Sequence, residues 1–137
     1  MSQSQLLKLF FDQFQSFIEQ LVIVFPNDTD FPVYLKNLKI AKVANPRMVV
    51  EAIETHCLPF ADTIKTRNAD FFLKYEFAEY EKDETIIPVI RKMKDMWAQI
   101  SPANQRHVMD YVNNLLVLVT RYLGTRTGLA LPTPLAP

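Results

Sequence analysis

A chain of 137 residues with 15 basic and 15 acidic side chains has no overall field to concentrate it on nucleic acid or an anionic membrane. Hydrophobic residues make up 49% and include ten Phe, far from a disordered composition and enough for one domain to bury a core without metal or disulfide staples. Only two glycines occur, Gly124 and Gly128, so nucleotide-cradling loops and tight hairpins lack their usual residue, and no left-handed backbone position is expected before residue 124.

In chain order, Leu7, Phe10, Phe14, Phe17, Ile18, Leu21 and Phe25 recur at three-and-four spacing and predict a first helix, which Pro26 ends. Asn27 to Asp30 form a polar turn from which Asp28 or Asp30 caps a second helix, with Leu35, Leu38 and Ala41 inward and an end near Ala44. Asn45-Pro46 joins a capping side chain to a proline at the first helical position and opens a third helix, with Val49, Val50, Ile53 and Cys57 as its buried stripe. Pro59 interrupts that pattern, which makes Phe60 to Ile64 a short separate helix. Asp70-Phe71-Phe72-Leu73 reads as a capped turn whose aromatics anchor a longer connection to the core.

Helical spacing resumes from Thr85 to Ile100 through Ile86, Ile87, Ile90, Met93 and Trp97, with Pro88 in the first turn and Arg91, Lys92 and Lys94 on the solvent side. Ser101-Pro102 repeats the cap-plus-proline device and opens a last helix carrying Val108, Tyr111, Val112, Leu115, Leu116, Val119 and Leu123, with Gly124 as its stop. The expected fold is all-α: a single compact bundle of five or six helices over residues 1–124. A flexible Pro-rich C-terminal tail, 125–137, would order only against a partner.

Chemistry-bearing constellations are scarce. His56 and Cys57 are adjacent and point about 100° apart on a helix, so a nucleophile and base pair requires His107 to fold against Cys57. The plainer expectation makes Cys57 a small core residue and both histidines surface or half-buried. One Cys and two His without paired ligand spacing fall short of a zinc site, and no Asp-rich calcium loop occurs, so no enzyme, metal or cofactor is expected. The lone Cys57 and an N-terminus without a basic flank suggest a reducing, intracellular setting and no secretion. The uncharged run Tyr111 to Thr120 is too short for a bilayer, which takes roughly 20 apolar residues, so no membrane partner is expected.

Two candidate binding surfaces remain. Tyr75, Glu76, Phe77, Glu79 and Tyr80 interleave aromatics with carboxylates, a pattern suited to docking on a basic protein surface. The plainer alternative is a loop pinned to its own core by Phe77 and Tyr80. Lys36, Lys39 and Lys42 recur every third residue, with Arg47 beyond and Tyr34 nearby, a stripe able to meet phosphates. Its plainer reading is the polar face of an amphipathic helix, and a neutral chain would hold nucleic acid weakly. The expected function is therefore a non-enzymatic protein–protein interaction or structural role, with weak nucleic-acid association as the alternative. Self-association through part of the Phe-rich first helix is left open.

Phe10-Phe11 with Phe14, Phe25-Pro26 with Asp28, Asn45-Pro46-Arg47, Pro59-Phe60 and Asp70-Phe71-Phe72-Leu73 together resemble a family of short, uncharacterised helical proteins of large double-stranded DNA viruses of algae and protists. The resemblance spans roughly Leu6 to Leu123. It implies a viral protein in the host cytoplasm or the virion and carries no catalytic residues with it.

Overall fold

The computed structural model describes residues 2–74 and 86–127. Among them the chain is all-α, with no strand: α1 (Gln3–Val24), α2 (Asp30–Ala44), α3 (Pro46–Cys57), α4 (Ala61–Lys65), the single turn α5 (Asp70–Leu73), α6 (Ile87–Met96) and α7 (Pro102–Thr127). The helical bundle expected from the spacing is the fold observed.

The most apolar of the long helices, α1, packs between α2 and α7. A reciprocal capping box opens α1: the Gln5 amide donates to Ser2 Oγ at 3.2 Å and the Ser2 amide to Gln5 Oε1 at 2.8 Å. Leu6, Phe10, Phe11, Phe14, Phe17, Ile18 and Leu21 are all buried. Phe11 lies outside the predicted stripe and Leu6 takes the place of Leu7, because α1 packs against both α7 and α2 and so buries more than one narrow face. Neither Asp28 nor Asp30 is the cap of α2: the N-cap is Thr29, which makes no side-chain cap bond, and Asp28 one residue earlier accepts from the Asp30 amide at 2.8 Å in a turn that leads into the helix. Phe31, Leu38 and Ala41 point inward there, while Leu35, expected inward, is only half-buried.

Asn45 caps α3 by accepting from the Met48 amide at 3.3 Å, with Pro46 in the first position as expected. Around Pro59 the chain tightens into a 3-10 turn, Leu58–Phe60, before α4. The end of α4 corrects the glycine expectation. Arg67 has φ 58°, its amide donates to the Ile64 carbonyl at 3.0 Å, and the Asn68 amide donates to the Thr63 carbonyl at 2.9 Å. This is a Schellman stop with arginine in the left-handed position usually given to glycine. The Arg67 guanidinium holds the Lys65 carbonyl at 2.7 Å and Asp110 of α7 at 2.9 Å.

The aromatics of α5 anchor it as expected, with Phe71 and Phe72 fully buried and a chain of ring contacts running from Phe60 through them to Trp97, but Asp70 is no cap: Asn68 Oδ1 accepts from the Asp70 amide at 2.9 Å. The helix predicted to reach Ile100 is α6 ending at Met96, followed by a 3-10 turn, Trp97–Gln99. Ser101 Oγ then accepts from the Asn104 amide at 3.2 Å and caps α7. Gly124 does not stop this helix, which runs to Thr127; a glycine inside a helix costs only about 1 kcal/mol relative to alanine and forces no end by itself. The remainder of the Pro-rich tail lies outside the described residues.

Candidate functional site

The Tyr75, Glu76, Phe77, Glu79 and Tyr80 set falls outside the described residues. The basic residues fall within them. Lys36, Lys39 and Lys42 on α2 and Arg47 in the first turn of α3 are all exposed, and none forms an ion pair with a described residue. They are not one stripe, because each step of three residues slips about 60° around a helix and Lys42 ends about 120° from Lys36. Lys36 and Lys39 line a shallow, open trough along α2 with Pro32, Leu35, Ile40 and Val43, and Lys42 is not part of it.

This outer face is not the polar surface expected of an amphipathic helix. Val33 is 52% exposed, Ile40 55% and Val43 85%. With Phe31, Leu38 and Ala41 fixing the inward side, a 100° step per residue places Val33, Ile40 and Val43 on the opposite side. Among the described residues no carboxylate lines the trough. The signal was present in the sequence as valine and isoleucine at 33, 40 and 43, outside the inward stripe.

The acidic residues at the start of α2 are engaged elsewhere. Lys92 of α6 reaches Asp28 and Asp30 at 2.7 Å each and lies 5.7 Å from the centre of the Phe31 ring. Lys92 was expected on the solvent side; its long stem instead carries the ammonium inward to carboxylates supplied by a distant turn, leaving it 21% exposed. Burial pushes the Asp28 carboxyl up, but the Lys92 hydrogen bond, the Asp30 amide, the Lys92 charge and the Phe31 amide outweigh it and hold it below its usual value. Hydrogen bonds to Asp28 and then Asp30 hold the Lys92 ammonium well above its usual range against the opposing effect of burial. Burial, then the charge of Asp30, raises the half-buried Tyr34.

Cys57 and His107 line different cavities. Cys57 is 2% exposed beside a void of about 10 Å³ walled by Phe17, Ile53, Phe71 and other apolar side chains. His107 stands over a cleft of about 250 Å³ between α1 and α7, with Phe17, Leu21, Asn104 and Tyr111. Tyr111 stacks on Phe17 at 5.3 Å and shares a 3.0 Å hydrogen bond with Ser16. His56 corrects the expectation of surface or half-buried histidines: it is buried, because it follows Val49 and Ile53 on the inward side of α3. Among the described residues no group of three or more His, Cys, Asp or Glu could hold a metal ion, and no helix is long and apolar enough to cross a membrane.

Comparison with protein-family models, with curated proteins and with solved structures finds no match to this chain.

Proposed function

We propose that this chain is a non-enzymatic interaction or structural module that presents the outer face of α2 to another protein. The observation that carries this reading is the exposure of Val33, Ile40 and Val43 together on a helix whose other side is anchored in the core. Scattered single apolar residues on a surface need no explanation, whereas a row of them along one helix face marks a surface that is covered in use. Tyr75, Phe77 and Tyr80 with Glu76 and Glu79 supply a second docking segment in this reading, on the strength of their sequence. A host-cell or virion setting rests on the viral resemblance of the Phe10 to Leu73 residues.

The test compares partners captured by the wild-type chain with those captured by Ile40→Asp and Val43→Asp. Both positions are exposed, so each variant should keep its melting temperature within the small range of surface substitutions. Loss of a specific partner in both variants is the expected result; an unchanged partner set overturns the reading.

A nucleic-acid role is the second reading, favoured by the exposure of Lys36, Lys39, Lys42 and Arg47 and by the absence of ion pairs between them and described residues. Filter binding at two salt concentrations decides it: retention that falls steeply with salt supports phosphate contacts, and no retention at either ends it.

A further inference from the structure

We infer that the partner of the α2 face is an acidic amphipathic helix of another protein, packed along α2 as in a short coiled coil. This inference rests on the interaction reading above and adds the chemistry of the occupant. Positions 33, 36, 40 and 43 follow one another at spacings of three, four and three, the a-and-d pattern by which one helix seats its side chains into another. Val33, Ile40 and Val43 fill three of these positions and Lys36 the fourth, with Lys39 flanking the seam. An α-helix running along this seam covers all of them.

Charge then selects which helix. A lysine within an apolar seam favours a partner with a carboxylate opposite it, and Lys39 adds a second cation at the edge, with no acid among the described residues of the trough to neutralise either. A second copy of the same face would bring two more lysines and, among the described residues, no matching acid to the seam, since a two-fold interface brings identical patches together. A lipid surface fits poorly as well. Membrane-lying helices keep their cations on the side opposite the apolar one, whereas here Lys36 stands between Val33 and Ile40 and would be drawn into the acyl region with them. A phosphate backbone would satisfy the lysines and leave the valines and isoleucine uncovered. A 15-residue helix spans only about 22 Å, which places the contact among the small, transient interfaces.

The probe is a synthetic helical peptide with Leu along its seam and Glu at the flanking positions, titrated against the full chain by fluorescence anisotropy beside a counterpart carrying Lys for every Glu. The acidic peptide should bind at least about tenfold more tightly, with an advantage that shrinks as salt rises. Replacing both lysines, Lys36→Glu with Lys39→Glu, should reverse the preference, and Val43→Asp should abolish binding of either peptide. Equal affinities, an unreversed preference in the double variant or no binding by either peptide overturns the inference. So does association seen only with phosphatidylserine vesicles, or only as self-association in sedimentation. If the peptides bind equally while Ile40→Asp and Val43→Asp still lose the captured partner, the α2 face stands as the docking surface and only the acidic-helix inference falls.

Discussion

Lys92 and Asp30 are 62 residues apart in the chain and bring ammonium and carboxylate to 2.7 Å where α2 begins. Asp28 completes the clamp from the other side at 2.7 Å. The first inter-helix turn is thereby fastened to α6, and the start of α2 is held in place.

Breaking this clamp should be felt in both stability and pH dependence. Lys92→Met removes charge-assisted hydrogen bonds from a mostly buried site and should cost about 1.5–3 kcal/mol at neutral pH; Asp30, half exposed, contributes the smaller share. The Asp28 carboxyl is lowered, so its stabilisation is present above the ordinary carboxylate value of about 4 and is lost as pH falls through its folded value. The Lys92 ammonium is raised, so its share is complete below about pH 10 and is lost only as pH rises through the folded value. Denaturant midpoints at pH 7, 4 and 3 should fall more steeply for wild type than for Lys92→Met.

Phe14 is fully buried and meets Phe10 edge-on at 6.0 Å. Phe14→Ala should cost about 3–5 kcal/mol through lost transfer energy and the cavity left behind. Urea unfolding measures it, and a neutral result would place this face of α1 outside the core.

Ser101→Ala should lose about 1 kcal/mol, because Ser101 Oγ is the cap that accepts from the Asn104 amide at the start of α7. An unchanged denaturant midpoint would show that this bond does not hold the helix end.

At Arg67 the usual order of residues should invert. A non-glycine residue in the left-handed region carries a cost of roughly 1–2 kcal/mol, and the exposed ion pair with Asp110 returns less than about 1 kcal/mol. Both Arg67→Ala and Arg67→Gly lose the pair, but only glycine relieves the backbone. The glycine variant should therefore be the more stable of the two by about 1 kcal/mol, opposite to the order inside a helix. Thermal melts of the pair check the sign.

Helix starts were the most legible part of the chain, because Ser101-Pro102 and Asn45-Pro46 place the cap and the first helical residue side by side and both operate as expected. Apolar spacing likewise located α1 and α7. What it missed has a common cause, namely that periodicity reports one stripe and is blind to neighbours. Phe11 is buried because two helices flank α1, and Lys92 turns inward because Asp28 and Asp30 arrive from elsewhere in the chain. Glycine scarcity misled at Arg67, where a tolerable strain stands in for the permissive residue. On the candidate surface, Lys36 and Lys39 were legible as cations, but reading them as an ordinary polar face hid Val33, Ile40 and Val43 on the same side of the helix. The Tyr75 to Tyr80 candidates lie outside the described residues and rest on sequence alone.

The pairing of the first helix with the last has a consequence for biosynthesis. Ser16 and Tyr111, which share a hydrogen bond, are 95 residues apart, so at about 5–20 residues per second a ribosome delivers the second roughly 5–20 s after the first. During that interval the phenylalanine-rich surface meant for α7 lacks the helix that covers it. Chaperone capture of the nascent chain should therefore peak before the last helix emerges and end once it docks.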